Sequence, residues 1–141
     1  MVNEVPPLRV RVGPGHAALE AARRQVVGHL AQACERGDRS TVYAVELVLE
    51  EWLTNVFRHG GGTEVTVEVA CDGRQVGLRF TDDGTTFDPT RAPERVAPAT
   101  LDEAEPGGLG LFLIRRYSRS WRYAREAGRN VMQVEIDCPA A

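Results

Sequence analysis

Glu51 and Asn55 stand four residues apart, and His59 follows four further on. On a helix this spacing places a carboxylate, an amide and an imidazole along one stripe. A carboxylate there can accept a proton, and an amide oxygen can ligate a hard cation. An ordinary solvated helix flank has the same appearance, so the stripe alone does not decide between them. A second cluster is Asp82-Asp83-Gly84-Thr85-Thr86-Phe87-Asp88. A carboxylate at a strand end, followed by Gly, can accept a hydrogen bond from a ligand while the backbone turns closely around it. Asp-Gly is also common turn chemistry. A third is Gly107-Gly108-Leu109-Gly110-Leu111. Glycines at a helix start leave backbone N–H groups bare, where the helix dipole favours an anion. They equally suit a hinge or a close-packed helix start.

The elements that must position these groups are legible in the hydrophobic period. Leu8 to Val12 alternates apolar and charged residues, as a half-buried strand does, and Pro14-Gly15 breaks it. Leu19, Val26, Val27, Leu30 and Cys34 recur at helical spacing between His16 and about Glu35. Gly37 reads as the stop, and Asp38 or Ser40 as the next cap. The second helix is expected from about Ser40 to Arg58, with Val45, Leu49, Trp52, Leu53 and Val56 as its apolar stripe. At 100° per residue Asn55 falls about 80° to 100° from the axis of that stripe, on the flank of the buried face. Gly60-Gly61-Gly62 ends the helix.

Strands Glu64–Cys71 and Gln75–Asp82 follow, joined by the hairpin signal Asp72-Gly73. Residues 83–107 carry Pro89, Pro93, Pro98 and Pro106 and little apolar content. Loops of that length are often functional lids. A helix is expected over Leu109–Tyr117, then strands Ser120–Arg125 and Val131–Asp137 about a turn at Ala127-Gly128. Short turns between consecutive strands imply antiparallel pairing. Helices covering one face then give an α+β, two-layer α/β sandwich with a mostly antiparallel sheet, in a single domain over residues 1–141.

Composition bounds the rest. The chain has 141 residues, 43% apolar and 26% charged, which fits one globular domain. Its net charge of −3 is a poor match for nucleic-acid phosphates, so no direct nucleic-acid partner is expected. All 17 basic residues are Arg, which excludes a P-loop or Schiff-base lysine. Cys34, Cys71 and Cys138 form no C-x-x-C pair, and an odd count without a secretion signal favours a reducing compartment. No apolar run approaches a membrane span, so a cytoplasmic protein is expected. His16 and His29 lack a second ligand at metal spacing, and Trp52 and Trp121 read as packing residues. Arg115, Arg116, Arg119, Arg122 and Arg125 read as a solvated or partner-facing surface.

Taken together and in order, Glu51-x-x-x-Asn55-x-x-x-His59, Asp82-x-Gly84-x-x-Phe87-Asp88 and Gly108-x-Gly110-Leu111 resemble the three boxes of the GHKL (Bergerat-fold) ATPases. That group includes gyrase, histidine kinases and MutL. The short chain is most similar to anti-sigma factor serine/threonine kinases of the RsbW and SpoIIAB type, over about residues 38 to 137. The second glycine of the wider Asp-x-Gly-x-Gly box is Thr86 here, a departure which that subgroup shares.

The resemblance implies roles. Asn55 would ligate Mg²⁺, and Glu51 would act as general base or orienting acceptor for the attacking hydroxyl. Arg58 and His59 would lie near the phosphates. Asp82 would accept from the adenine amino group, with Gly84 allowing the base to approach. Gly108 and Gly110, with Leu109 and Leu111 in the same box, would wrap the phosphates as a lid over about 85–107 closes. Asn130 would stand where many relatives place a Thr that supports the adenine. Mg²⁺ usually keeps several waters, so one protein ligand suffices. Phosphoryl transfer needs mostly positioning and charge neutralisation, so no covalent residue is missing. The implied cofactors are ATP and Mg²⁺. The implied partners are a STAS-domain anti-sigma factor antagonist as substrate, a sigma factor, and a second copy in a homodimer. Two other outputs fit the same boxes: a non-catalytic, nucleotide-gated binding switch, and a detached histidine-kinase-type catalytic domain.

Overall fold

The computed structural model describes residues 6–33, 39–86, 88 and 108–138. Its elements are β1 (Leu8–Val12), α1 (His16–Ala33), α2 (Arg39–His59), β2 (Val65–Cys71), β3 (Gln75–Asp82), α3 (Gly108–Tyr117), β4 (Ser120–Glu126) and β5 (Arg129–Asp137). The strands form one sheet in the order β1-β2-β3-β5-β4, with every neighbouring pair antiparallel. This is the expected α+β sandwich. The expected end of α1 at Glu35, the residue Cys34, and residues 87 and 89–107 of the lid lie outside the described residues.

The alternation of side chains along the strands explains why the helices choose one face. Val65, Val67 and Val69 of β2, Leu78 and Phe80 of β3, and Met132 and Val134 of β5 are all buried. They meet Val26 and Leu30 of α1, Val45 to Val56 of α2 and Ile114 of α3 in one core. On the opposite face one row crosses all five strands: Arg9, Glu68, Arg79, Gln133 and Arg122 are successive register partners. A slip of one residue in any strand would put these charges into the core, so the pattern fixes the register.

Two tight turns hold that register. Asp72 accepts from the backbone N–H of Arg74 and of Gln75, each at 2.8 Å, and Gly73 takes φ +92°. Between β4 and β5, Ala127 (φ 51°) and Gly128 (φ 75°) both lie in the left-handed region. That is the requirement of a two-residue hairpin turn whose twist matches its strands. It aligns Asn130 with Arg125 on one side and, across β3, with Asp82 on the other.

Candidate active site

The site grows from the C-terminal half of α2. Trp52, Leu53 and Val56 are buried, so their helix flank, carrying Glu51 and Asn55, comes to rest half-buried at the edge of the core. A cleft opens there, lined by Trp52, Asn55, Val56, His59, Gly60, Thr85 and Thr86. Trp52 backs it, tilted against Phe80 at 6.4 Å between ring centroids. Its indole N–H is buried without a hydrogen-bond partner.

Among the described residues, neither the Asn55 amide nor the Glu51 carboxyl makes a hydrogen bond or ion pair. Burial pushes the Glu51 carboxyl above its ordinary value of 4.5, and the neighbouring Glu50 charge pushes it the same way. A half-buried carboxyl whose pKa is raised is a better proton acceptor than an exposed one. His59 lines the cleft on an exposed turn. Arg58 is exposed on the last turn of α2 and is not among the lining residues.

The loop after β3 closes the other wall. Gly84 is buried, and a Cβ built on it would stand 2.5 Å from the Gly60 carbonyl oxygen and 2.9 Å from Asp82 Oδ1. Only glycine therefore lets this loop lie against the end of α2. Thr85 donates to the Gly60 carbonyl from its N–H (2.8 Å) and its hydroxyl (3.3 Å). Asp83 accepts from the N–H (2.9 Å) and the hydroxyl (2.8 Å) of Thr63. Those two donors hold the Asp83 carboxyl below its usual range.

Asp82 is 3% exposed. Its Oδ1 accepts from the Gly84 N–H (2.9 Å) and from the Asn130 side-chain amide (3.0 Å). Its Oδ2 has no partner among the described residues and is the acceptor left for a ligand. Asn130, 4% exposed, spends its whole amide on the protein. Its nitrogen donates to Asp82 Oδ1 and to the Thr85 carbonyl (2.7 Å). Its oxygen accepts from the Tyr123 hydroxyl (2.5 Å) and from Arg125 (3.0 Å). An amide offers two donors and two acceptor lone pairs, so nothing remains for a ligand. In this arrangement Asn130 holds Asp82.

The third box begins α3 at Gly108, and Gly110 lies in the first turn of that helix. Leu111 packs against the hydrophobic core, so its contribution is to seat α3. The side chain of Leu109 lies outside the described set. The sequence reading gave no individual site role to Tyr123, Arg125, Thr63 or Thr85. For Tyr123 and Arg125 a signal existed: once Ala127-Gly128 is the turn, both face inward with Trp121 by strand alternation.

An open antiparallel sheet backed by helices, with a half-buried amide at a cleft and a carboxyl one helical turn before it, is an arrangement that suits nucleotide binding. The histidine kinase-like ATPase domain family matches residues 14–136, and the chain belongs to that family. It is 32% identical over 92 residues to the serine/threonine-protein kinase BtrW of Bordetella bronchiseptica. That alignment covers 62% of this chain and 65% of the relative, just under two thirds of the relative's length.

The site fits the ATP that such a domain holds. For a divalent cation, Asn55 offers an unengaged amide oxygen at the cleft, and no group of three or more His, Cys, Asp or Glu side chains among the described residues could form a metal cage. An amide oxygen is a donor that would suit Mg²⁺, a hard cation that takes oxygen ligands. No helix among the described residues is long and apolar enough to cross a membrane.

Proposed function

We propose that the protein is a cytoplasmic, ATP- and Mg²⁺-dependent serine/threonine-protein kinase. Its substrate is a STAS-type anti-sigma factor antagonist, and through that partner it controls a sigma factor by partner switching. The observation that carries the kinase reading is Glu51: half-buried, without a protein partner, and one turn before Asn55 on the same flank. The likeness to BtrW, named a serine/threonine-protein kinase, supports it. The antagonist, the sigma factor and a homodimeric state rest on the resemblance of the three boxes to anti-sigma factor kinases.

In this mechanism the cleft binds ATP with its base toward Asp82 and its phosphates toward Asn55 and the start of α3. The bound Mg²⁺ supplies charge neutralisation on the phosphate oxygens. The partner's Ser or Thr oxygen forms a bond to the γ-phosphorus, and the bond from that phosphorus to the leaving ADP oxygen breaks. Glu51 accepts the hydroxyl proton. Burial of Glu51 raises its basicity.

The test is transfer of labelled γ-phosphate from MgATP to a purified STAS partner, alongside melting of the kinase with and without MgATP. Saturation at about 100 times Kd should add about 2.7 kcal/mol of stability. In a domain of this size that is a rise in Tm on the order of 5–15 °C. A Tm rise with a phosphorylated partner supports the kinase. A Tm rise with a bound but unphosphorylated partner favours the non-catalytic switch instead.

A further inference from the structure

Arg125 looks like a surface residue by type and by its place on the edge strand β4. The residue is exposed, yet its guanidinium reaches back to the loop after β3. One nitrogen, NH1, donates to the Gly84 carbonyl at 2.9 Å and to Asn130 Oδ1 at 3.0 Å. Gly84 is buried, and among the described residues its carbonyl has no other donor. Tyr123, two residues earlier on the same face of β4, donates to the same Asn130 oxygen. The β4–β5 hairpin thus grips the loop after β3 at three points: the Gly84 carbonyl, the Thr85 carbonyl and Asp82 Oδ1.

The chemistry of this grip is directional. With Arg125 and Tyr123 both donating to Oδ1 of Asn130, the amide cannot flip, and its nitrogen must face Asp82. Asp82 Oδ1 is then filled by two donors, and Oδ2 is presented as a pure acceptor. A pure acceptor receives an exocyclic amino group, as on adenine, and repels a carbonyl oxygen, as on guanine. Without the cation at Oδ1 of Asn130, the amide keeps its nitrogen toward Asp82 and the Thr85 carbonyl, but it loses one of the two donors anchoring its oxygen and the Gly84 carbonyl loses its donor, so the pose of Asp82 is held less firmly.

We infer that Arg125 is a positioning residue for base selection, acting through Asn130 and the Gly84 carbonyl on Asp82. This rests on the nucleotide site argued above and deepens it. Nothing about the residue's type in the sequence suggests it, because Arg at an exposed edge strand is ordinary.

The experiment is calorimetric titration of MgATP and MgGTP into wild type, Arg125→Met, Tyr123→Phe and Arg125→Lys. Arg122→Met is the control, since Arg122 lies on the opposite face of the same strand and bonds Gln133 at 3.1 Å. For Arg125→Met the expected result is an ATP affinity about tenfold weaker, in line with losing a charge-assisted pair of hydrogen bonds. The preference for ATP over GTP should narrow by threefold or more. Tyr123→Phe should shift both values the same way by less, and Arg125→Lys should restore part of the preference. Arg122→Met should change neither.

The preference is the readout that a merely structural loss would not move. If both nucleotides weaken equally in Arg125→Met and Tyr123→Phe, or neither weakens, base selection through Arg125 is overturned while the nucleotide site stands. If wild type binds neither nucleotide, the nucleotide reading itself is overturned and this inference with it.

Discussion

The two ends of the cleft are built on opposite rules. At the Asp82 end nearly every polar group is spent on another protein group: Asn130 makes four hydrogen bonds, and Asp82 Oδ1 takes two. At the α2 end, Asn55 and Glu51 make none among the described residues, though both are half-buried. A half-buried polar group without a partner costs stability and is kept where a ligand supplies the partner. A saturated group cannot meet a ligand at all, so it can only position a neighbour. The saturated end is therefore scaffold with one acceptor, Asp82 Oδ2, left without a partner among the described residues. Under the proposed function, the unsaturated end is where chemistry takes place.

The sharpest way to break this contrast is at Glu51. Glu51→Gln keeps the shape and removes the proton acceptor. Phosphotransfer should fall by about 10²- to 10⁴-fold, the usual contribution of a general base. ATP affinity by calorimetry should stay within a few-fold. If transfer survives at near wild-type rate, the unsaturated end does not do proton chemistry.

Next comes the one acceptor at the saturated end. Asp82→Asn exchanges a charged acceptor for an amide that already faces two donors. Nucleotide affinity should drop by about 10- to 100-fold, as expected for hydrogen bonds to a charged group. Affinity unchanged in titration would place the base elsewhere.

A smaller effect compares two asparagines directly by chemical denaturation without nucleotide. Asn130→Ala strands the Thr85 carbonyl, the Tyr123 hydroxyl and Arg125, and should cost about 1–3 kcal/mol. Asn55→Ala breaks no protein hydrogen bond and should stay within about 0.5 kcal/mol. With MgATP present the ranking reverses in one respect, because Asn55→Ala should lose the Mg²⁺-dependent part of the stabilisation. Equal costs in the absence of ligand would contradict the two-rule description.

The smallest effect is on pH. Glu51 is raised above 4.5 in the folded state, so its ionisation opposes folding. Its contribution is most favourable below 4.5 and declines as pH rises through the folded value, which Glu51→Gln should abolish. The phosphotransfer rate should move the other way, rising with pH through the same value as Glu51 loses its proton. A rate flat across that window in wild type would remove Glu51 from the proton path.

Much of the site was legible before any coordinates. The helix carrying Glu51 and Asn55 was placed within a residue at each end, because its apolar stripe is long and its glycine stop is triple. The flank position of Asn55 followed from helical geometry alone. Gly84 was expected to let a base approach; the group the structure brings against it is the Gly60 carbonyl. Arg125 is exposed, as a charge on an edge strand is expected to be, but its hydrogen bonds were not foreseen, because their acceptors lie 41 and five residues away.

By itself, then, the sequence determined the local periods, the turns and the three polar clusters with their spacing, since each depends on neighbours along the chain. Which polar groups stay unpartnered is a different matter. That was decided by the sheet order β1-β2-β3-β5-β4, which brings Asp82 beside Asn130 and leaves Asn55 facing open space. Hydrogen-bond satisfaction is a property of what meets in space, and here the meeting residues come from strands up to 48 positions apart.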